Sequence, residues 1–168
     1  MALPTQIDPR KLAAQGMELE GIVVADQLLR LAQAVERIVS PLQAKVAFFI
    51  DEGNCKVARG ELQVDADVPC QRCLDTVRIT VSTVFEVQVV WSEEQMANVS
   101  ADREAWLVSD RHASLLELLE DEILLALPLV SYHGAGECTG DTLYDNEASP
   151  IEEEVVDNPF SVLQQLKK

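Results

Sequence analysis

The 168-residue chain has few cationic and aromatic residues, and it lacks the common catalytic motifs. It carries 13 Lys and Arg against 29 Asp and Glu, a formal net charge of −16, and only 5% of its residues are aromatic. It contains no P-loop, no dinucleotide-binding glycine motif, no Gly-x-Ser-x-Gly elbow and no His-Glu-x-x-His metal motif. No apolar run approaches the roughly 20 residues of a transmembrane helix. These absences argue against a membrane protein and against the enzyme classes that such motifs mark.

The start of the chain, MALPTQIDPRKLAA, lacks the basic region and the long apolar stretch of a secretory signal. We therefore expect a cytoplasmic protein. In that compartment its four cysteines are expected to be reduced or metal-bound rather than paired in disulfides.

The negative charge is concentrated in the second half of the chain. Residues 1–90 carry 9 Lys and Arg against 12 Asp and Glu, whereas residues 91–168 carry 4 against 17. Such a C-terminal half repels bare nucleic acid, whose affinity for proteins rests largely on cationic side chains. It attracts a basic protein, or it serves only to keep the chain soluble.

A Cys-x-x-Cys pair, Cys70 and Cys73, lies between two segments in which apolar and polar residues largely alternate. The alternation covers residues 61–68 before the pair and residues 77–91 after it. A period of two predicts strands with one buried face. We therefore expect the cysteines at the tip of a β-hairpin. A break in phase at Gly60 predicts a β-bulge in the strand that precedes them.

Zinc is the first interpretation of the cysteine pair, because such a turn often supplies half of a tetrahedral zinc site. His133 and Cys138 lie close together in the glycine-rich segment HGAGEC and are candidates for the other half. We predict one zinc ion held by Cys70, Cys73, His133 and Cys138. A redox pair and two unreactive thiols are the alternatives, and a junction between two strands disfavours the redox reading.

Two segments have the spacing of amphipathic helices that pack on a sheet. The first runs from Asp26 to Ile38, and the second runs from Ser114 to Leu127, where a Ser-x-x-Glu capping box begins it and Pro128 ends it. Their apolar stripes are Leu28, Leu31, Val35 and Ile38 in the first helix, and Leu116, Leu119, Ile123 and Leu127 in the second. A mainly antiparallel sheet with these helices packed on it is an α+β fold.

Candidate binding residues are both basic and acidic. The arginines available for RNA or for an acidic partner include Arg10, Arg30, Arg37 and Arg72. RNA binding requires them to gather on one face. The acidic candidates in the second helix are Glu120, Asp121 and Glu122. Adjacent helical residues point about 100° apart, so these three do not converge on one metal.

Composition divides the chain into three parts. Residues 1–138 are expected to form a single α+β domain, and residues 139–157 an acidic flexible linker. Residues 158–168 are expected to form a short amphipathic helix. The apolar face of that helix contains Phe160, Leu163 and Leu166, which either dock on the domain or bind a groove of a partner.

The chain resembles the YceD-like family, the large ribosomal RNA subunit accumulation proteins, in segments that follow the family's order. These are IDPRKLA near the start, CQRC, EDEILLALPLV, the loop with His133 and Cys138, and NPFSVLQQLKK at the end. A Cys-x-x-Cys pair alone is weak evidence for the family, but CxRC followed by DEILLALP and NPFxVLxxLK is a specific combination. Many relatives have further cysteines after the Leu-Pro motif, where this chain has one cysteine and a histidine.

The resemblance implies a cytoplasmic bacterial protein that is needed for synthesis, processing or stability of 23S ribosomal RNA, with no established catalytic residues. Genes of the family often neighbour that of a small basic ribosomal protein of the large subunit. We therefore expect a non-enzymatic ribosome-biogenesis factor whose partner is such a protein or a pre-ribosomal particle. The alternatives are a direct RNA-binding protein and a zinc-dependent or redox enzyme that uses the cysteine pair.

Overall fold

The structure is a computed structural model, and it describes residues 3–101 and 103–138. The strands are β1 (Gln6–Ile7), β2 (Glu18–Val23), β3 (Arg37–Ile38), β4 (Leu42–Ile50), β5 (Lys56–Pro69), β6 (Thr76–Val90), β7 (Glu104–Leu107) and β8 (Ala113–Ser114). The helices are α1 (Pro9–Gln15), α2 (Leu29–Ala34), α3 (Glu93–Ala97) and α4 (Leu115–Leu125), and a 3-10 turn spans Ala25–Gln27. The predicted linker at 139–157 and the predicted helix at 158–168 lie outside the described residues.

Most strands belong to one six-stranded sheet, in the order β2-β4-β5-β6-β7 with β3 also paired to β5. Neighbouring strands are antiparallel except β6 and β7, which are parallel. The short strands β1 and β8 form a separate antiparallel pair. The predicted α+β fold with a mainly antiparallel sheet is confirmed.

The longest unit is the hairpin of β5 and β6, which pair without interruption from Val57 opposite Gln88 to Pro69 opposite Thr76. The predicted bulge at Gly60 is therefore wrong. Gly60 lies opposite Phe85, and a Cβ atom added to it would lie 2.3 Å from Cε1 of that ring. The apolar alternation breaks at Gly60 because the Phe85 ring occupies the space that a side chain at position 60 would need, and not because the strand contains an extra residue.

The core lies between the inner face of the sheet and helices α1, α2 and α4. Leu115, Leu119 and Ile123 of α4 are completely buried, as are Val46 of β4 and Val64 of β5. The Ser114 hydroxyl accepts a hydrogen bond from the Glu117 amide and so begins the helix as the capping box predicts. This predicted helix is confirmed, with its end at Leu125.

The helix predicted from Asp26 to Ile38 is much shorter in the structure. Helix α2 contains only six residues, and Val35 is already extended, with φ −121° and ψ 162°. Residues 37–38 instead pair with β5 as strand β3. Leu28, Leu31 and Val35 are buried as predicted, because a helical turn followed by an extended segment still directs them into the core.

Candidate metal centre

The tip of the β5–β6 hairpin holds two cysteine thiols in a tight turn, as the sequence predicts. The Cys70 amide donates to the Asp75 carbonyl at 2.8 Å, and the Leu74 amide donates to the Cys70 carbonyl at 2.8 Å. Leu74 adopts the left-handed conformation, with φ +65°, which an L-residue seldom takes. This turn is the knuckle from which Cys70 and Cys73 project.

The chain that follows α4 returns to this knuckle. The Gln71 amide donates to the Ser131 carbonyl at 2.9 Å, and the Gln71 side chain donates to the Leu129 carbonyl at 3.3 Å. These two bonds align the segment after α4 with the hairpin tip. They bring His133 and Cys138 beside the first two cysteines.

The four predicted ligand atoms form one compact cluster, in which all lie within 4.8 Å of one another. Sγ of Cys70 is 3.8 Å from Sγ of Cys138, and Nδ1 of His133 is 3.4 Å from Sγ of Cys73 and 3.8 Å from Sγ of Cys138. A tetrahedral zinc ion separates sulfur ligands by about 3.8 Å and sulfur from nitrogen by about 3.6 Å, given its usual bond lengths. The donor set therefore fits zinc in both chemistry and spacing.

Two further groups hold the cluster from outside. Nε2 of His133 lies 3.1 Å from the Thr76 carbonyl oxygen, so that this nitrogen donates and Nδ1 is left as a ligand. Nε of Arg72 donates a hydrogen bond to Sγ of Cys138 at 2.9 Å. From the sequence, Arg72 is predicted only as a candidate for binding RNA or an acidic partner, although its place between the two cysteines indicates this second role.

The thiols of the knuckle differ in acidity. Burial alone would raise the pKa of Cys70, but hydrogen bonds from the backbone amides of Cys73, Arg72 and His133 lower it to about 5. Burial first, and then the neighbouring Cys70 and Cys138 sulfurs, raise the pKa of Cys73 to about 11. Deprotonation of Cys70 is thus favourable, whereas deprotonation of Cys73 beside it is costly. A divalent cation relieves this repulsion when it displaces the remaining protons.

The other predicted binding residues that the structure describes make separate contacts away from the cluster. Arg30 forms ion pairs with Glu120 and Asp121, and Arg37 pairs with Asp67. The guanidinium of Arg10 lies 4.3 Å from the centroid of the Trp91 ring. Glu120 and Glu122 are buried, whereas Asp121 is exposed, and Phe160, Leu163 and Leu166 lie outside the described residues.

The structure also identifies a buried acid that sequence reasoning missed. Asp67 is 3% exposed and accepts hydrogen bonds from both Arg37 and Arg78. Arg78 lies directly opposite Asp67 in the hairpin, and its hydrogen bond to Asp67 raises the pKa of Arg78. The position of Asp67 opposite an arginine in the hairpin register is the signal that could have identified this acid.

The fold and the cluster define a small α+β protein in which three cysteines and one histidine close the tip of a long hairpin. A family model described as large ribosomal RNA subunit accumulation protein YceD matches residues 58–167. A relative of that name from Haemophilus influenzae is 31% identical over 169 residues, which cover 99% of this chain and 97% of the relative. The chain therefore belongs to the YceD family, as the resemblance predicts.

No solved structure matches the chain. Among the described residues, no helix is both long enough and apolar enough to span a membrane.

Proposed function

We propose that this protein is a non-enzymatic ribosome-biogenesis factor that the cell needs for synthesis, processing or stability of 23S ribosomal RNA. The observation that carries the proposal is the match along almost the whole chain to a relative named for accumulation of large-subunit ribosomal RNA. The family model matches residues 58–167, a range that contains all four residues of the cluster. A cytoplasmic location follows from this role.

We infer that Cys70, Cys73, His133 and Cys138 bind one zinc ion with a structural role. Four protein ligands complete a tetrahedron and leave no open position for water or substrate, which is the pattern of structural zinc sites. Bound there, the ion supplies a cross-link between the hairpin tip and the chain after α4. The same donor count makes a zinc-dependent enzyme the weaker alternative.

A redox function draws little support from the geometry. The Cys70 sulfur has Cys138 at 3.8 Å, and Cys73 faces His133 at 3.4 Å, so the thiols belong to one four-ligand cluster. A redox pair of the thioredoxin type lies at the start of a helix, whereas this pair joins β5 to β6.

The partner that the charge supports best is a basic protein of the large subunit, alone or in a pre-ribosomal particle. The net charge of −16 attracts such a protein and opposes bare RNA. Direct RNA binding is less well supported, because Arg30 and Arg37 are engaged by acidic side chains of the domain. These ion pairs leave fewer free cations for phosphate.

The test of the proposed function is depletion of the protein in the cell, followed by complementation with the wild-type gene. We expect depletion to lower 23S relative to 16S ribosomal RNA, and the wild-type gene to restore the ratio. Capture of the tagged protein from lysate, with and without nuclease, then identifies the partner. Recovery of basic large-subunit proteins after nuclease treatment supports the protein partner. An unchanged ratio of 23S to 16S would contradict the proposed function.

A further inference from the structure

Among the described residues, strand β6 has a second edge that is open over most of its length. Strand β7 pairs only with the end of β6, from Val87 to Val90. Within residues 3–101 and 103–138, the β6 segment 78–86 pairs with β5 alone. An open edge of nine residues offers a row of hydrogen-bonding groups to another strand.

The hydrogen bonds at the two ends of β6 show which of its residues direct their backbone N–H and C=O groups to the open edge. The Thr76 carbonyl accepts from Nε2 of His133, and the Val90 carbonyl accepts from the Val108 amide, so both point away from β5. In an antiparallel pair, the backbone groups of alternate residues point to the same side. Because the pairing with β5 has no bulge, every even-numbered residue between them points to the open edge. These residues are Arg78, Thr80, Ser82, Val84 and Glu86.

Both ends of the open edge are closed by other parts of the fold. Strand β7 occupies the end at Val87, and the His133 side chain occupies the end at Thr76. The space between them suits one extended segment of about nine residues, roughly 30 Å long. A second copy pairing through its own β6 is disfavoured, because its β7 and its hairpin tip would meet these two ends. Two copies would also each carry a net charge of −16.

Acidic side chains lie at the β7 end of this edge. Glu104 begins β7 opposite Val87 and is exposed. Glu122 of α4 is only 8% exposed, and no hydrogen bond to its carboxylate is found within the described residues. Burial first, and then the charges of Glu104 and Asp121, raise the pKa of Glu122. A carboxylate in such surroundings is stabilised by a cationic side chain that binds beside it.

We propose that the open edge of β6, residues 78–86, binds an extended basic segment of a protein partner as an added strand, with a Lys or Arg side chain near Glu104 and Glu122. The partner's main chain pairs with the even-numbered residues of the edge. Its alternate side chains lie beside the half-buried Ile79 on one face and the exposed Val84 on the other. Main-chain pairing gives such a contact its affinity, and the side-chain positions give it selectivity. The inference rests on the proposed function only in taking a basic large-subunit protein as the natural source of the segment.

Backbone NMR of the full chain tests the edge directly. In the free protein, we expect the amides of Thr80, Ser82 and Val84 to exchange with solvent quickly, and those of the odd-numbered residues between them to exchange slowly. The probe is a nine-residue peptide of alternating Lys and Val, with a matched peptide in which Glu replaces Lys. The Lys peptide should slow exchange at the even-numbered amides, and the Glu peptide should not.

Two variants separate main-chain pairing from other contacts. Val84→Pro removes an amide that faces the edge and leaves pairing with β5 intact, whereas Val84→Thr keeps that amide and the branched side chain. We expect Val84→Pro to weaken binding of the Lys peptide about tenfold, and Val84→Thr to leave it unchanged. Combining Glu104→Gln with Glu122→Gln should weaken binding of the Lys peptide and bring it closer to that of the Glu peptide.

Several results would overturn the proposal. Even-numbered amides that are already protected in a monomeric free chain would show that the chain covers its own edge. Protection that increases with protein concentration, together with a dimer mass, would show that a second copy does so. Unchanged amides in the presence of the Lys peptide, or equal binding by Val84→Pro, would also exclude it. A Val84→Pro variant that fails to bind the peptide but restores 23S ribosomal RNA would remove this contact from the proposed function and leave that function standing.

Discussion

Arg30 donates hydrogen bonds from both its backbone amide and its side chain to the carboxylate of Glu120, although 90 positions separate the two residues. One carboxylate oxygen of Glu120 accepts the Arg30 amide at 2.7 Å, and the other accepts Nε of Arg30 at 3.0 Å. The first oxygen also accepts the Leu31 amide at 3.0 Å. Glu120 therefore supplies from α4 the cap that the residue preceding α2 lacks, since Leu28 has no side-chain acceptor.

Replacement of Glu120 by Ala should destabilise the protein by about 2–3 kcal/mol, because two amides of α2 and a guanidinium lose their common acceptor. Glu94→Ala is the matched control, since Glu94 is an exposed glutamate of helix α3 and takes no part in capping α2 or α4. Urea denaturation followed by circular dichroism measures both variants. Equal midpoints for the two would show that the cap contributes nothing to stability.

Local patterns predict the parts of the fold that depend on nearby residues. The capping box at Ser114 and the period-two alternation before Cys70 identify α4 and the hairpin, because both signals lie within the elements themselves. The end of α2 could not be predicted in this way. The extended conformation at Val35 leads into the pairing of β3 with β5, about 30 residues later in the chain.

The metal cluster could be predicted for a different reason. The chain has four cysteines and two histidines, so a tetrahedral site has few possible ligand sets. Spacing within Cys70-x-x-Cys73 gives one half, and His133 with Cys138 gives the other. The Gln71 hydrogen bonds that align the halves depend on backbone geometry and leave no signal in the sequence.

Ile123 is completely buried against the sheet, so Ile123→Ala should destabilise the protein by about 2–5 kcal/mol. Leu125→Ala, at a position 75% exposed on the same helix, should have little effect. Chemical denaturation measures the difference. An unchanged midpoint for the Ile123 variant would contradict the assigned buried face of α4.

Protein purified without chelator should contain about one zinc ion per chain by elemental analysis. Cys70→Ser should lose most of that zinc and lower the melting temperature, whereas Cys55→Ser should not, because Cys55 lies outside the cluster. Strong chelators should lower the melting temperature of the wild type towards that of Cys70→Ser. Less than about a tenth of an equivalent of zinc in the wild type would exclude the inferred structural zinc.

The buried carboxylate of Asp67 should make stability depend on pH below about 4. Hydrogen bonds from Arg78 and then from Arg37 lower its pKa in the folded state. Its contribution is therefore fully present above the unfolded pKa of about 3.9, and it is lost as the pH falls through the lower folded pKa. Asp67→Asn should be less stable than the wild type at neutral pH, and the difference should shrink in acid.

Thermal denaturation between pH 7 and pH 2.5 measures the dependence on Asp67. Glu61→Gln, which removes an exposed carboxylate from the same strand, serves as the control. A difference between Asp67→Asn and the wild type that stays constant down to pH 2.5 would show that the charge of Asp67 does not stabilise the fold.

Gly60 and Phe85 should prove to be coupled, because the aromatic ring occupies the space where a side chain at position 60 would lie. Gly60→Ala places a Cβ atom 2.3 Å from the ring in the unrelaxed structure, so the strands or the ring must shift. We expect a loss of about 1–3 kcal/mol in stability, as for other overpacked sites.

Phe85→Leu removes the ring atoms that meet the added methyl group, at its own cost in buried area. In the double variant, the alanine should therefore cost less than it does in the wild type, with a coupling free energy of about 1 kcal/mol. Denaturation of the two single variants and the double variant completes the cycle. Additive losses would mean that Gly60 is required by its backbone conformation and not by the Phe85 ring that lies over it.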